Sequence, residues 1–373
     1  MRYCKKCVQP DTRPGIQFND EGICPPCDYM AHLEEIDWEA RRRELNKIAE
    51  FGRKNNVSGY DCIVGVSGGK DSTRQAMYVK EELGLKALLV SCTYPPEQQT
   101  ERGAHNIGNL ISLGFDTITI GPNPQVWKKL MREGFLRYGN WCKSTEMALY
   151  ACLPKIAIAY HIPLIFLGEN PATHFGELGV RSMDWDANRS KYSHTIADGP
   201  DIFLNGDIVE QDLFWYRYPS DEEMEWANLQ IVYLGYFWKD FNKLDNAAFS
   251  ISHGLDLREG TPYELGDIHP FEALDDDFVI MNQMMKYVKY GFGKVTDEVC
   301  EQIRYGRMSR PAAILLVQKY DGKCSEEYIR KFCHYIEISE ERFWEVVESY
   351  RNKEIWEKDA QGEWRLKVPL EEG

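Results

Sequence analysis

Gly65-Val66-Ser67-Gly68-Gly69-Lys70-Asp71-Ser72 stands between an apolar run and a stretch with helical spacing. Few folds accommodate that order of features. Asp61 to Val66 reads as a buried parallel strand and Thr73 to Leu83 as a helix. Gly68 and Gly69 let the backbone approach an anion closely. The free N–H groups of the helix start, the hydroxyls of Ser67 and Ser72, and Lys70 are then expected to face the oxygens of a pyrophosphate. Asp71 is the carboxylate of the loop best placed to assist a metal or fix the loop, and a helix-start cap is its plainer role.

The octapeptide is not a Walker A loop, which needs four residues between its first glycine and Gly-Lys-Ser/Thr. Ser67 to Ser72 instead resembles the PP-loop of the ATP pyrophosphatases. That resemblance implies cleavage of ATP between its α and β phosphates and transfer of AMP to a carbonyl oxygen, with Mg²⁺ beside the phosphates. A glycine-rich turn of no functional meaning is the plain alternative.

The chain has 373 residues, enough for two domains or one large domain with attachments. No apolar run reaches membrane-spanning length, and Met1-Arg2-Tyr3-Cys4-Lys5-Lys6-Cys7 does not read as a signal peptide. A cytoplasmic location without membrane association is therefore expected. The net charge of −15 argues against wrapping nucleic acid. Eleven cysteines in such a chain point to metal binding or reactive thiols more than to disulfides.

Cys4-x2-Cys7 and Cys24-x2-Cys27 form two knuckles sixteen residues apart. Two thiolates from each turn complete a tetrahedral zinc site with no position left for water, so the zinc is read as structural. An iron–sulfur cluster or four free thiols are the alternatives.

After this ribbon (1–36), strands and helices alternate over 37–175. Strands are expected at Lys86–Cys92, Asp116–Ile120 and Ile162–Gly168, and helices at Trp38–Asn55, Glu97–Leu113, Gln125–Tyr138 and Ser144–Tyr160. The fold class is α/β, a doubly wound parallel sheet of the PP-loop type with an N-terminal zinc ribbon and a C-terminal helical region. Ligands bind such sheets at the carboxyl ends of the strands. That draws the loop, Cys92-Thr93-Tyr94 and Gly168-Glu169-Asn170 to one crevice. Residues 92–94 are expected beside the adenine, and Glu169 and Asn170 are expected to touch Mg²⁺ or substrate, with helix capping as the alternative. Periodicity breaks down over 176–270, an aromatic-rich stretch read as a substrate insertion. Residues 271–373 return to helices, with an edge element or disorder after Trp356.

Trp141-Cys142-Lys143-Ser144, Leu167-Gly168-Glu169-Asn170, Tyr233-Leu234-Gly235-Tyr236 and the run from Lys289 to Lys294 through Gly306-Arg307-Met308-Ser309-Arg310 resemble one family over nearly the whole chain. It is the N-acetyl sugar amidotransferase family of bacterial surface-glycan (lipopolysaccharide) and nonulosonic-acid biosynthesis. The resemblance implies an enzyme that converts an acetamido group on an N-acetylated sugar, or on its nucleotide conjugate, into an acetamidino group. It also implies ammonia from a separate glutaminase and a barrel-type channelling protein. No Gly-x-Cys-x-Gly elbow occurs in the sequence, which agrees with an outside source.

Lys70, Asp71, Glu169 and Asn170 are the candidate catalytic residues, and the loop with Cys92, Thr93 and Gly168 is the candidate nucleotide site. Candidate substrate contacts are Cys142, His174, Arg304, Arg307 and Arg310. The arginines would form a basic stripe if helical, able to receive a carboxylate or diphosphate, or else a solvated face. Cys142 and Cys152 lie ten residues apart on one helix and cannot meet locally, so Cys142 is given no nucleophilic role. Replacing Lys70 with alanine is expected to abolish AMP formation and leave folding intact. Two other readings stay open. A tRNA thiolase of the PP-loop type would need a basic surface and a working cysteine pair. A non-catalytic zinc-ribbon adaptor would have no need for an intact Ser-Gly-Gly-Lys-Asp-Ser.

Overall fold

A computed structural model describes residues 1–174, 185–192 and 196–370. In chain order its main elements are α1 (Pro25–Ala31), α2 (Trp38–Lys54), β1 (Cys62–Gly65), α3 (Lys70–Glu81), β2 (Ala87–Cys92), α4 (Glu101–Ser112), β3 (Asp116–Ile120), α5 (Pro124–Tyr138), α6 (Cys142–Tyr160), β4 (Leu164–Leu167) and α7 (Pro171–His174). They continue with α8 (Asp221–Trp226), β5 (Gln230–Tyr233), α9 (Lys243–Ser252), α10 (Pro262–Leu265), α11 (Val279–Tyr290), α12 (Lys294–Arg304), α13 (Arg310–Tyr320), α14 (Glu326–Tyr335), α15 (Glu340–Tyr350), β6 (Trp356–Lys358) and β7 (Trp364–Leu366).

Five parallel strands form one sheet in the order β3-β2-β1-β4-β5. The three inner strands are apolar because both of their faces are covered: Ile63, Val64, Leu89, Val90, Ile165 and Phe166 are all fully buried. Asp116–Ile120 alternates with polar residues because it forms an edge. The α/β parallel architecture with a C-terminal helical region is as the sequence implies, and no described helix is long and apolar enough to cross a membrane.

Two readings need correction. The stretch 176–270 is not only insertion, since Gln230–Tyr233 supplies the fifth strand and pairs with β4 from Leu164 to Leu167. Four residues with one polar position carry too little period-2 signal to stand out among the surrounding aromatics. Second, the tail after Trp356 forms an antiparallel hairpin of β6 and β7.

The C-terminal helices share a core with the sheet domain. Phe135 of α5 contacts Phe332 of α14 and Phe343 of α15, each with ring centroids 5.2 Å apart. Trp141 is fully buried and donates its indole N–H to the Phe278 carbonyl at 3.1 Å. The N-terminal cysteines pack instead with Val295, Val299, Cys300, Ala313 and Leu370 in a second apolar cluster.

Candidate functional site

The chain turns from β1 into α3 through Ser67-Gly68-Gly69, with Gly69 as N-cap. Gly68 has φ +79°, and a Cβ there would lie 3.1 Å from both Asn106 Cβ and Ile107 N of α4. Left-handed backbone and a packed neighbour both demand glycine. Gly68→Ala is expected to cost roughly 1–2 kcal/mol and to distort the loop. A urea midpoint equal to the wild type would contradict this. The first amides of α3 have no intrahelical acceptor and open towards the carboxyl ends of the strands.

A cavity of about 290 Å³ lies there. Its floor comes from the ends of β1, β2 and β4, with Gly65, Val66, Val90, Cys92, Leu167 and Gly168. Ser67, Asp71 and Ser72 line it from the loop, and Glu169 from the end of β4. Glu169 accepts a 3.0 Å hydrogen bond from the Tyr150 hydroxyl, and this carboxylate, together with burial, pushes the Tyr150 phenol well above its usual pKa. A Cβ at Gly168 would lie 2.7 Å from Gln75 Oε1, so that side chain would have to shift.

Other expected residues sit elsewhere. Lys70 does not line the cavity. Its ammonium is buried, 2.9 Å from Asp71 Oδ2 and 2.5 Å from Glu272 Oε1. Burial disfavours that charge, but the two carboxylates outweigh burial and hold the Lys70 pKa above the usual lysine value. Removing Lys70 would leave Lys294, at 2.8 Å, as the remaining cation on buried Glu272, so Lys70→Ala is now expected to lower stability as well as AMP formation. Asn170 is buried and caps a turn, its Nδ2 donating to the Gly235 carbonyl at 3.1 Å and its Oδ1 accepting from Ala172 N–H at 3.2 Å. This is the capping alternative rather than a contact with the cavity. Thr93 is occupied with the Ile120 carbonyl through both N–H and hydroxyl. Cys142 lies outside the cavity, accepting from Asn282 Nδ2 at 3.3 Å, and burial pushes its thiol well up. The His174 side chain lies outside the described residues.

The arginines do not form a stripe, because α12 ends at Arg304 and α13 begins at Arg310. Arg307 pairs with Asp245 at 2.9 Å, while Arg304 and Arg310 turn to the cysteine knuckles. Gly306, with φ +67°, breaks the helix between them.

Several residues escaped the sequence reading. Phe241, Asn242, Lys243, Glu301 and Tyr305 also line the cavity. Among the described lining residues, Lys243 is the one Lys or Arg side chain. It bonds Glu298 Oε1 at 2.8 Å, and Lys294 reaches the same oxygen at 2.7 Å. The neighbouring carboxylates outweigh burial and keep Lys243 charged. Burial pushes the Glu301 carboxyl above its usual range. Helix α9 is locked to the loop: Asn246 Nδ2 donates to Asp71 Oδ1 at 2.7 Å and Ser250 Oγ to the Lys70 carbonyl at 2.8 Å. Cys152 sits beside Cys92 on the cavity wall, a pairing between different elements that local spacing could not reveal.

The Sγ atoms of Cys4, Cys7, Cys24 and Cys27 all lie within 4.8 Å of one another, and all four residues are buried. Cys24 N–H points at Cys4 Sγ (3.3 Å) and Gln9 N–H at Cys7 Sγ (3.4 Å). Four convergent sulfurs with amides aimed at them fit a closed tetrahedral zinc site.

Residues 265–369 match the family model of the C-terminal domain of LPS biosynthesis protein WbpG-like. This part of the chain is similar to that domain. The run from Lys289 to Arg310 that carries the family resemblance falls inside it. The matched segment supplies Glu301 and Tyr305 to the cavity and Glu272 to Lys70. No curated protein matches the sequence. Among solved structures, a predicted subunit of tRNA methyltransferase from Methanocaldococcus jannaschii is similar at 12% identity, covering 54% of this chain and 78% of that one with a TM-score of 0.29. NMN synthetase from Francisella tularensis is 16% identical over 54% of this chain and 92% of its own, with a TM-score of 0.26. NH3-dependent NAD synthetase from Campylobacter jejuni, in complex with nitrate, is 13% identical over 61% of this chain and 100% of its own, with a TM-score of 0.28. At TM-scores this low the likeness adds nothing to the fold read from the sheet.

Proposed function

We propose that the chain is an ATP-dependent amidating enzyme that converts the acetamido group of an N-acetylated sugar into an acetamidino group. The observation that carries this reading is a single cavity with two walls. One is an anion cradle at the strand ends, and the other comes from α9 and the matched C-terminal segment. An amide oxygen is a poor leaving group. Attack of that oxygen on the α-phosphorus expels pyrophosphate and gives an O-adenylyl imidate. Ammonia then adds to the imidate carbon, AMP leaves with the original oxygen, and the amidine remains. The helix-start amides and the Ser67 and Ser72 hydroxyls would bind the phosphates, and Lys243 would offset charge on the departing pyrophosphate. Of the carboxylates lining the cavity, Asp71 and Glu169, beside the loop, would hold Mg²⁺, which would neutralise phosphate charge. The sugar, the glutaminase and the channelling partner are part of this proposal.

Lys243→Met is expected to weaken pyrophosphate binding roughly 10- to 100-fold and to slow AMP formation, with adenosine binding unchanged. The fold should persist, because Glu298 keeps Lys294. Unaltered pyrophosphate affinity would remove Lys243 from the site. The function itself is tested by mass spectrometry of the protein with ATP, Mg²⁺, ammonium and a panel of N-acetylated sugars and their nucleotide conjugates. AMP together with a sugar that has exchanged O for NH supports the proposal.

One observation favours a second reading. Cys92 and Cys152 adjoin on the cavity wall, as a sulfur-transfer enzyme would require. Against it, Cys152 and burial push the Cys92 thiol well up, which disfavours the reactive thiolate. AMP release dependent on tRNA and a sulfur donor, with no amidine from any sugar, would establish that alternative.

A further inference from the structure

Asp71 and Lys243 line the same cavity, yet one belongs to α3 and the other to α9. A run of alternating charges outside the cavity lining joins them. Asp71 Oδ2 lies 2.9 Å from Lys70 Nζ, and Lys70 Nζ lies 2.5 Å from Glu272 Oε1. Glu272 Oε2 lies 2.8 Å from Lys294 Nζ, which lies 2.7 Å from Glu298 Oε1. The same Glu298 oxygen accepts from Lys243 Nζ at 2.8 Å. None of the four inner side chains lines the cavity, and that of Glu298 is fully buried.

Such a run is a poor means to stability alone, since well-packed apolar side chains of similar volume often serve a buried interface as well or better. Its effect here falls on one flexible side chain. The start of α9 is anchored by other groups: Asn242 caps the helix, Asn246 and Ser250 bind the loop, and Lys243 N–H donates to Glu301 Oε1 at 2.9 Å. The four-carbon stem of Lys243 still leaves its ammonium free to swing. Among the described residues, Glu298 is the one hydrogen-bond acceptor of that ammonium, and the nearest Glu301 oxygen stands at 3.9 Å. Glu298 is held in turn through its shared Oε1. Its Oε2 has no hydrogen bond, and His269 Nε2 stands 3.8 Å from it.

We propose that Glu298 is a positioning residue for Lys243, fixing its ammonium at the cavity so that it meets the departing pyrophosphate. Lys294 and Glu272 extend that hold to the loop. The role in pyrophosphate release rests on the reading of the cavity as a nucleotide site, whereas the hold of Glu298 on Lys243 does not. The sign of the effect separates positioning from charge alone. Removing a carboxylate near an anion site should by charge alone strengthen anion binding. Loss of positioning weakens it.

The test uses the full-length protein. Pyrophosphate affinity is measured by calorimetry, and the titration of Lys243 by competitive acetylation with acetic anhydride and peptide mass spectrometry. Glu298→Gln is expected to weaken pyrophosphate binding roughly 10-fold. In Glu298→Gln combined with Lys243→Met, the loss should equal that of Lys243→Met alone, because both act through one ammonium. The titration should move as well. Burial opposes the Lys243 charge, and Glu298, with Glu272 and Glu301, outweighs both burial and the neighbouring Lys294. Without the Glu298 charge, Lys243 should lose its proton at lower pH, and the alkaline limit of pyrophosphate binding should fall with it. Glu298→Asp keeps the charge but draws the oxygen back by one methylene. It serves if the Gln variant does not fold, and its cycle with Lys243→Met should be equally non-additive. A merely structural Glu298 would lower the melting temperature and leave the Lys243 titration of the folded protein in place. Unchanged or tighter pyrophosphate binding in Glu298→Gln, or a loss that adds to that of Lys243→Met, would overturn the proposal. A wild type that does not bind pyrophosphate would instead overturn the nucleotide reading, and the Lys243 titration would still decide whether Glu298 holds its ammonium.

Discussion

Lys70→Ala is expected to reduce AMP formation, by releasing Asp71 at the cavity, and also to lower the unfolding free energy by about 1–3 kcal/mol. The stability effect follows from burial. The Lys70 ammonium is 2.5 Å from Glu272, whose side chain is itself mostly hidden from solvent. Lys294 remains 2.8 Å from Glu272, so one cation would be left where two now serve the carboxylate. Asp71 would also lose its 2.9 Å partner beside the cradle. A double variant, Lys70→Ala with Glu272→Gln, should regain most of the stability and none of the AMP formation. Urea unfolding together with AMP release separates the two effects. A single variant as stable as the wild type would show that the buried pair is not structural, and normal turnover would remove Lys70 and its loop from the chemistry.

Cys24→Ser is expected to lower bound zinc and to destabilise the N-terminal knuckles together with α12 and α13. A structural four-thiolate zinc site contributes on the order of 10 kcal/mol of binding free energy to the folded state. Here the cysteines pack directly with Val295, Val299 and Ala313 rather than standing apart. The loss should therefore appear as earlier unfolding of the C-terminal helices and not only as a frayed N-terminus. Zinc content, thermal melting and hydrogen exchange across 294–320 report it. Cys62→Ser, at the start of β1, should leave zinc content unchanged. A folded, zinc-free and active Cys24→Ser protein would show the knuckles to be dispensable.

Local patterns carried much of this structure. Loop chemistry and alternating periodicity were sufficient for β1 to β4 and the helices between them, and for the two cysteine knuckles. The C-terminal helices were equally legible, and in the structure the side chains of Ser309 and Ser339 cap two of them. What escaped depended on tertiary placement. Lys243 and Glu301 are 58 positions apart, yet Glu301 Oε1 accepts the Lys243 N–H at 2.9 Å. No local spacing announces that contact. The orientation of Lys70 was likewise illegible, since its partner Glu272 arrives from a distant segment. Arg304, Arg307 and Arg310 show the opposite hazard, a regular spacing that a glycine-containing turn breaks up.

The destination of the acetamido oxygen tests the central claim most directly. The protein would be given ATP, Mg²⁺, ammonium and the accepted N-acetylated sugar carrying ¹⁸O in its acetamido carbonyl. Adenylylation of the amide oxygen predicts that the label appears in AMP, one atom for each amidine formed. Label in pyrophosphate or released water, or amidine formed with ADP instead of AMP, would contradict the account.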